Sequence, residues 1–316
     1  MKAQIFSTAA VLTVFCGTLP AADPRLLNLV MPDAKILAGV NVAQARTSPF
    51  GQYILSQIQN QAAGFDQLAA LTGFDPRRDV SELLAASNSN PHGSGALVLA
   101  TGTFNPAVIT AFAMLRKGVT ENYQGVTIVE DPKQTFGIAF LGGSLAAAGD
   151  LANVKAAIDR QASPSVLPAA VAVQINQLSG ANDAWVLTTV PPSTLKPPSG
   201  GPALPGLGGN SAGSVLNNIQ QAGAGVKFGA NVTFTAQAQA DTAQNATAIA
   251  GVLQLLANLA QLQAQQNPQA AALAKSLLVT ANGVTVNISA SVPADQFQQL
   301  LQPNGKAVQP HIQRRK

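Results

Sequence analysis

Residues 226–240 read VKFGANVTFTAQAQA, and their alternation decides the kind of fold this chain adopts. Val226, Phe228, Ala230, Val232, Phe234 and Ala236 fall on one side; Lys227, Asn231, Thr233, Thr235 and Gln237 fall on the other. A period of two puts successive side chains on opposite faces, so the stretch is a long strand, or a hairpin broken at Gly229, with one polar side. Just upstream, Val215 to Gln221 reads as one or two helical turns. Downstream, Asp241-Thr242-Ala243-Gln244 resembles a capping box. It opens the longest helix, to about Ala264, with Ile249, Val252, Leu253, Leu256, Leu259 and Ala260 on one face before Pro268 interrupts. Ser276 to Thr280 and Val284 to Val292 then pair across Asn282-Gly283, a hairpin signal. Pro293 to Leu301 closes the series as a helix.

Working toward the N-terminus, a similar order of signals appears between Gly95 and Arg160. Val80 to Ala86 and Gly95 to Phe104 are strand-like and flank the turn Asn88-Ser89-Asn90-Pro91-His92-Gly93. Asn105-Pro106 caps a helix carrying Val108, Phe112 and Leu115. Gln124 to Val129, Thr135 to Leu141 and Ser144 to Ala148 are strands, the last two joined at Gly142-Gly143, and Asp150 caps a helix with Val154 and Ile158. An isolated strand precedes each series: Ile36 to Val42 in one case, Ala184 to Val190 in the other. Ser48-Pro49 starts a helix with Phe50, Ile54 and Ile58 in one stripe, a short helix follows through Leu68 and Leu71, and Val166 to Leu178 is a further helix. The expected fold class is α+β: two related units, about 34–162 and 183–301, with mixed or antiparallel sheets. Helices are expected on one face, in a split βαβ or ferredoxin-like tendency.

As domains, the chain divides into a signal peptide (1–22), a first α+β unit with its following helix and strand (34–190), and a linker or loop (191–213). A second unit (214–301, its leading strand 184–190) and a polar basic tail (302–316) complete it. The linker holds six prolines and six glycines without apolar periodicity. At the N-terminus, Lys2, the apolar Ile5 to Phe15 and the small residues before Asp23 read as an export signal. An apolar stretch this short does not span a bilayer, which takes about 20 residues. The expectation is a periplasmic or secreted protein with no integral membrane span after cleavage. Lipid anchoring through Cys16 is disfavoured by the bulky Phe15 before it.

Cys16 is the chain's single cysteine, so the mature protein has no disulfide or thiolate. Hydrophobic residues make up 47% and charged residues 10%, enough apolar mass for a core under a surface of Gln, Asn, Ser and Thr. The net charge of +4 is weighted to Lys306, Arg314, Arg315 and Lys316. No basic face with interleaved aromatics exists, which argues against a nucleic-acid partner.

The run Gly137-Ile-Ala-Phe-Leu-Gly-Gly-Ser-Leu-Ala-Ala-Ala-Gly-Asp150, followed by Val154-Lys-Ala-Ala-Ile-Asp159-Arg160, resembles uncharacterised exported proteins of environmental bacteria, over about half of the chain. In these a hairpin ends in Gly-Asp and a helix follows. The resemblance implies an exported α+β protein and assigns no activity.

Candidate chemistry is sparse. Gly209-Asn210-Ser211-Ala212-Gly213 matches a nucleophile elbow, and Asp241 or Asp295 with His311 would complete a triad. The motif follows linker rather than a strand, so a Gly/Ser linker is the simpler reading. His92 and Ser94 share a loop without an identifiable acidic orienter. Two histidines without a mature cysteine disfavour a zinc site. Asp75, Asp79 and Glu82 are interleaved with Arg77 and Arg78, the pattern of local ion pairs in a solvated turn. Glu130-Asp131 reads as a turn before Pro132, Asp150 and Asp241 as helix N-caps, and Trp185 as core. Asn231, Asn245 and Asn287 begin N-x-S/T triplets that need carry nothing. The glycine-rich 206–213 stretch lacks a phosphate-loop lysine.

No catalytic, cofactor or metal residue is therefore assigned. The expected function is a non-catalytic exported binding or interaction protein of the bacterial cell envelope, its partner an envelope protein. The alternative is a carrier of a small apolar ligand held between the long helix and the sheet beneath it. A hydrolase of unknown substrate, needing Asp79, Glu82 or His92 in one cleft, is the second alternative.

Overall fold

The computed structural model describes residues 22–61, 63–88, 95–115, 117–164, 166–192, 218–262 and 273–301. Their strands are β1 (Ile36–Asn41), β2 (Val80–Ser87), β3 (Ala96–Gly102), β4 (Val119–Tyr123), β5 (Val126–Glu130) and β6 (Phe136–Phe140). The series continues with β7 (Leu145–Asp150), β8 (Ala184–Thr188), β9 (Ile219–Lys227), β10 (Asn231–Ala240), β11 (Leu278–Asn282) and β12 (Thr285–Pro293). All twelve join one sheet, in the order β11-β12-β10-β9-β8-β1-β2-β3-β7-β6-β5-β4.

The helices are α1 (Pro24–Leu27), α2 (Val42–Thr47), α3 (Pro49–Gln61), α4 (Ala63–Thr72), α5 (Pro76–Asp79) and α6 (Pro106–Leu115). After them come α7 (Leu151–Ala162), α8 (Ala169–Ala181), α9 (Ala243–Leu262) and α10 (Ala294–Leu301). The fold is α+β with an antiparallel sheet. Every strand pairing among the described residues is antiparallel.

The 226–240 stretch is the hairpin reading, not the single strand: β9 and β10 pair from Lys227↔Thr233 outward, and residues 228–230 make the bend. The helical turns expected around Val215 to Gln221 are instead the start of β9 at Ile219; 215–217 lie outside the described residues. β4 is an element the sequence pattern did not separate. It pairs with β5 through a tight turn in which Gln124 and Gly125 both have positive φ.

Helices cover both faces, correcting the one-face expectation. On one face, Leu37, Leu84, Leu97, Leu99, Ala147, Ala139 and Ile128 meet Leu26 of α1, Val154 and Ile158 of α7 and Ile175 of α8. Burying each large aliphatic side chain contributes about 1.5–3 kcal/mol. Trp185 lies in this core, 6% exposed, as expected. Beyond β9 the same face turns polar, with Thr233, Thr235, Gln237 and Gln239 alternating along β10.

The opposite face carries three separate helical covers. Ile249 and Ala250 of α9 pack on Ala238, Ala240 and Val286. Phe50 of α3 and Ala294 of α10 pack with Val232, and the Phe297 ring lies 4.8 Å from that of Phe234 and 5.2 Å from Phe50. Val42 of α2 and Phe104 join Ala100 and Ala146, with Val40 and Leu83 beside them.

Two helix starts show the local logic. Ser48 Oγ accepts from the Gly51 N–H at 3.0 Å, with Pro49 opening α3. The cap of α9 falls one residue later than expected: Thr242 Oγ1 accepts from the Asn245 N–H at 3.1 Å, while Asp241 takes only the Asn245 side chain. Asp150 precedes α7 but caps nothing with its side chain, which accepts instead from the Ala96 N–H of β3 at 2.8 Å.

Candidate binding groove

Following the registers strand by strand gives a row across the sheet. Ile288, Ala236, Ala224, Val186, Ala38, Ala85, Val98, Ala148 and Ile138 are successive partners from β12 to β6, all on the face with the three helical covers. Every member is apolar. The adjacent row on that face, from Ala290 and Phe234 through Val226, Ala184, Val40, Leu83 and Ala100 to Phe140, is apolar as well. The second row is covered in part, by Phe104 and α2 around Ala100 and Ala146 and by Phe297 of α10 at Phe234, while α9 covers Ala238 and Val286 on the other side of the first row. In the first, Val98 is 40% and Val186 38% exposed, unusual for branched side chains in mid-sheet.

The uncovered row crosses nine strands. At about 4.8 Å per strand it is an apolar trough roughly 38 Å long. Its alanines keep the floor low, while valine, leucine and phenylalanine in the next row stand higher. Over β8 to β12 the floor deepens into a hollow of about 560 Å³. Val186, Ala224, Ala236 and Ile288 form its base, with Phe234, Leu273, Leu277 and Phe297 around it. Its wall is almost wholly carbon, and the volume lies within the roughly 300–1,000 Å³ of small-molecule sites. The space directly beneath α9 is not a cavity: Ala246, Ile249 and Ala250 fill it. The hollow lies beside that helix instead.

On the other face a second hollow of about 550 Å³ is lined by Gln177, Asn182, Gln221, Gln237, Gln239 and Asn287. These amides are largely turned on one another. Gln237 Nε2 donates to Asn287 Oδ1 at 3.0 Å, the Gln221 amide donates to Gln239, and Thr235 Oγ1 donates to Asn182 Oδ1 at 3.0 Å. Gln174, also on this lining, buries its Oε1 without a hydrogen-bond partner among the described residues, so the network is not fully satisfied. The apolar hollow is the better candidate because it leaves a branched mid-sheet side chain, Val186, 38% exposed.

The carboxylates singled out from sequence do not meet in one cleft. Asp75 and Asp79 are held in ion pairs, by Arg77 at 2.8 Å and Arg78 at 2.7 Å, and each arginine keeps its partner's carboxyl below the usual range. Glu82 points to the opposite side of β2, where both its oxygens accept from the Asp23 N–H at 3.2 Å. Burial pushes its carboxyl up to about 6. Asp131 does organise a turn, accepting from the N–H groups of Lys133, Thr135 and Phe136. Glu130 is not part of that turn: it is 2% exposed, and burial followed by the neighbouring Glu121 raises its carboxyl. Asp295 lies in the first turn of α10 and Asp241 before α9. Cys16, His92, Ser94, the 209–213 motif and His311 lie outside the described residues. Among the described residues no cluster of His, Cys, Asp and Glu could hold a metal ion, and no helix is long and apolar enough to cross a membrane.

Sequence reasoning missed the trough because its floor is alanine drawn from distant strands. The one local hint is alanine at outward positions of apolar runs, Ala38 in ILAGVN and Ala85 in LLAAS.

No family model matches the chain, and no curated protein sequence does. Solved structures share its fold. The chain is similar to crystal form III of TP0453, at a TM-score of 0.55 and 11% identity, over 86% of this chain and 96% of that one. It is also similar to crystal form I of TP0453, at a TM-score of 0.52 and 11% identity, over 89% and 96%. At this identity the likeness is one of fold.

Proposed function

We propose that this is an exported, non-catalytic binding protein of the bacterial cell envelope that carries a small apolar ligand on its sheet. The observation behind the proposal is the hollow of about 560 Å³ at the open end of the apolar row. Leaving Val98 and Val186 exposed forgoes about 25 cal/mol for each Å² not buried. A ligand lying along the row would recover that free energy. With almost no polar atom in the wall, the ligand class is an uncharged, hydrocarbon-rich molecule, because a charged group there would lose its solvation without a partner.

A related-unit reading supports the geometry. Outward from the β1–β8 pair the strands run β1-β2-β3-β7-β6 on one side and β8-β9-β10-β12-β11 on the other. In chain order these are the same succession, each with a helix between its third and fourth strands and one after its last; the β4–β5 hairpin is extra in the first unit. Two related units joined edge to edge would align their apolar faces into one trough.

The test is titration of the purified chain with the neutral fluorophore N-phenyl-1-naphthylamine. Saturable binding at one site is expected, reduced at least tenfold by Ala224→Phe, which fills the floor, and unchanged by Gln237→Ala on the opposite face. Equal binding by all three proteins would sink the proposal.

A further inference from the structure

We infer that the Glu82 carboxylate is a socket for the protein's own α-ammonium group, created when export processing cuts the Ala22–Asp23 bond. The inference rests on the export reading above and is independent of the apolar groove. Glu82 faces Asn41 of β1 and Thr101 of β3 across the strand registers, and with Asp23, Arg25 and Ser144 these residues line a small hollow. Both Glu82 oxygens lie 3.2 Å from the Asp23 backbone nitrogen. One amide hydrogen cannot point well at two acceptors, whereas an ammonium offers three hydrogens and a full charge.

The carboxylate has the setting of an acceptor short of its cation. It is half-buried, and among the described residues no lysine or arginine bonds to it. Arg25 donates its guanidinium to Asp23 at 2.7 Å and to Ser144 instead. With an amide at Asp23, burial leads the upward push on the Glu82 carboxyl; the hydrogen bond from the Asp23 N–H offsets part of it, the Asp23 charge adds to it, and Arg25 offsets a further part. An ammonium at the same nitrogen would reverse that balance.

In the cut, a signal peptidase of the exporting cell adds one water across the Ala22–Asp23 peptide bond. Ala22 leaves with a carboxylate on the leader, and Asp23 keeps the α-amino group, protonated at neutral pH. The bond one residue earlier is chemically a similar substrate, being flanked by small residues. It would leave the ammonium on Ala22, whose buried nitrogen lies 3.0 Å from Ser179 Oγ. That hydroxyl already donates to the Ile175 carbonyl and carries no charge. A buried ammonium there would lack a counter-ion, so the geometry selects Asp23.

The experiment is to express the full chain, recover it from the periplasm or medium, and read its terminus by intact mass and terminal-peptide sequencing. The rate of α-amine acylation is then measured against pH in the wild type and in Glu82→Gln, which keeps the shape and one acceptor oxygen but removes the charge. A terminus at Asp23, with acylation at neutral pH about tenfold slower in the wild type than in the variant, is expected. A terminus at Ala22 or a lipid at Cys16 would overturn the assigned cut, and a retained leader would overturn the export reading itself. A terminus at Asp23 that acylates equally fast in both proteins would overturn the socket alone.

Discussion

Replacing Gly39 with alanine tests whether the centre of the sheet is built as described. Gly39 of β1 faces Trp185 of β8, and Trp185 faces Gly225 of β9 on its other side. A Cβ built on Gly39 would lie 2.5 Å from Trp185 Cε2 and Nε1, well inside contact distance. The indole is 6% exposed, and β1 is fixed by β2 behind it, so neither side can move freely. Overpacking of this kind costs about 1–3 kcal/mol. Near the melting point each kcal/mol corresponds to roughly 2–4 °C for a chain somewhat smaller than this one. Trp185 is the chain's single tryptophan, so its emission reports the site directly in a urea titration. Gly39→Ala is expected to lower the urea midpoint and shift emission to the red. In the background of Trp185→Leu, followed by circular dichroism, the same change should cost less than half as much. An unchanged midpoint and emission, or an equal cost in both backgrounds, would refute the packing argument.

Asp183→Ala is expected to cost about 2–4 kcal/mol by denaturant titration, because it strips a buried acceptor from the Phe228 N–H at 2.6 Å and Lys227 Nζ at 3.0 Å. Thr242→Ala should destabilise by about 1 kcal/mol through loss of the α9 cap, whereas Asp241→Ala should change the melting temperature little. In a chain that retains residues before Asp23, the Glu82 carboxyl is raised from 4.5 to about 6. A raised carboxyl favours the folded state when protonated, so that contribution is present below about pH 4.5 and lost as pH rises through 6. Glu82→Gln should flatten this part of the stability profile, and an identical slope in both proteins would argue against the burial of Glu82.

Much of the sheet is legible in the chain because its turns carry their own chemistry. Asn282-Gly283 and Gly142-Gly143 mark hairpins that the structure shows, and Ser48-Pro49 marks the start of α3. What could not be read follows from the same physics. Val119 to Tyr123 is a mostly polar edge strand, so no buried face imprints an alternation on it. Gly223 and Gly225 of β9 lie against Leu178 of α8 and against Asn182 just after it, and alanines alternate with them on the other face, so that strand has few of the branched residues that usually announce one. The exposed row is set by register between strands far apart in sequence. No single segment carries it, although each contributes an ordinary alanine or valine.

The β1–β8 pairing has a consequence for how the chain assembles. Its partners, from Ile36↔Thr188 to Val40↔Ala184, are about 150 residues apart, while most other neighbouring strands are close along the chain. Closing so long a loop carries a large entropy cost before any contact repays it. Each half can zip its own meander first, leaving β1 and β8 as two bare edges that must find each other last. During that interval either edge could capture the matching edge of a second chain, and exchange of halves between molecules becomes the characteristic error. Pulsed hydrogen exchange should show amides bonded only across this pair protected last, and refolding at high concentration should yield dimers that the dilute protein does not form.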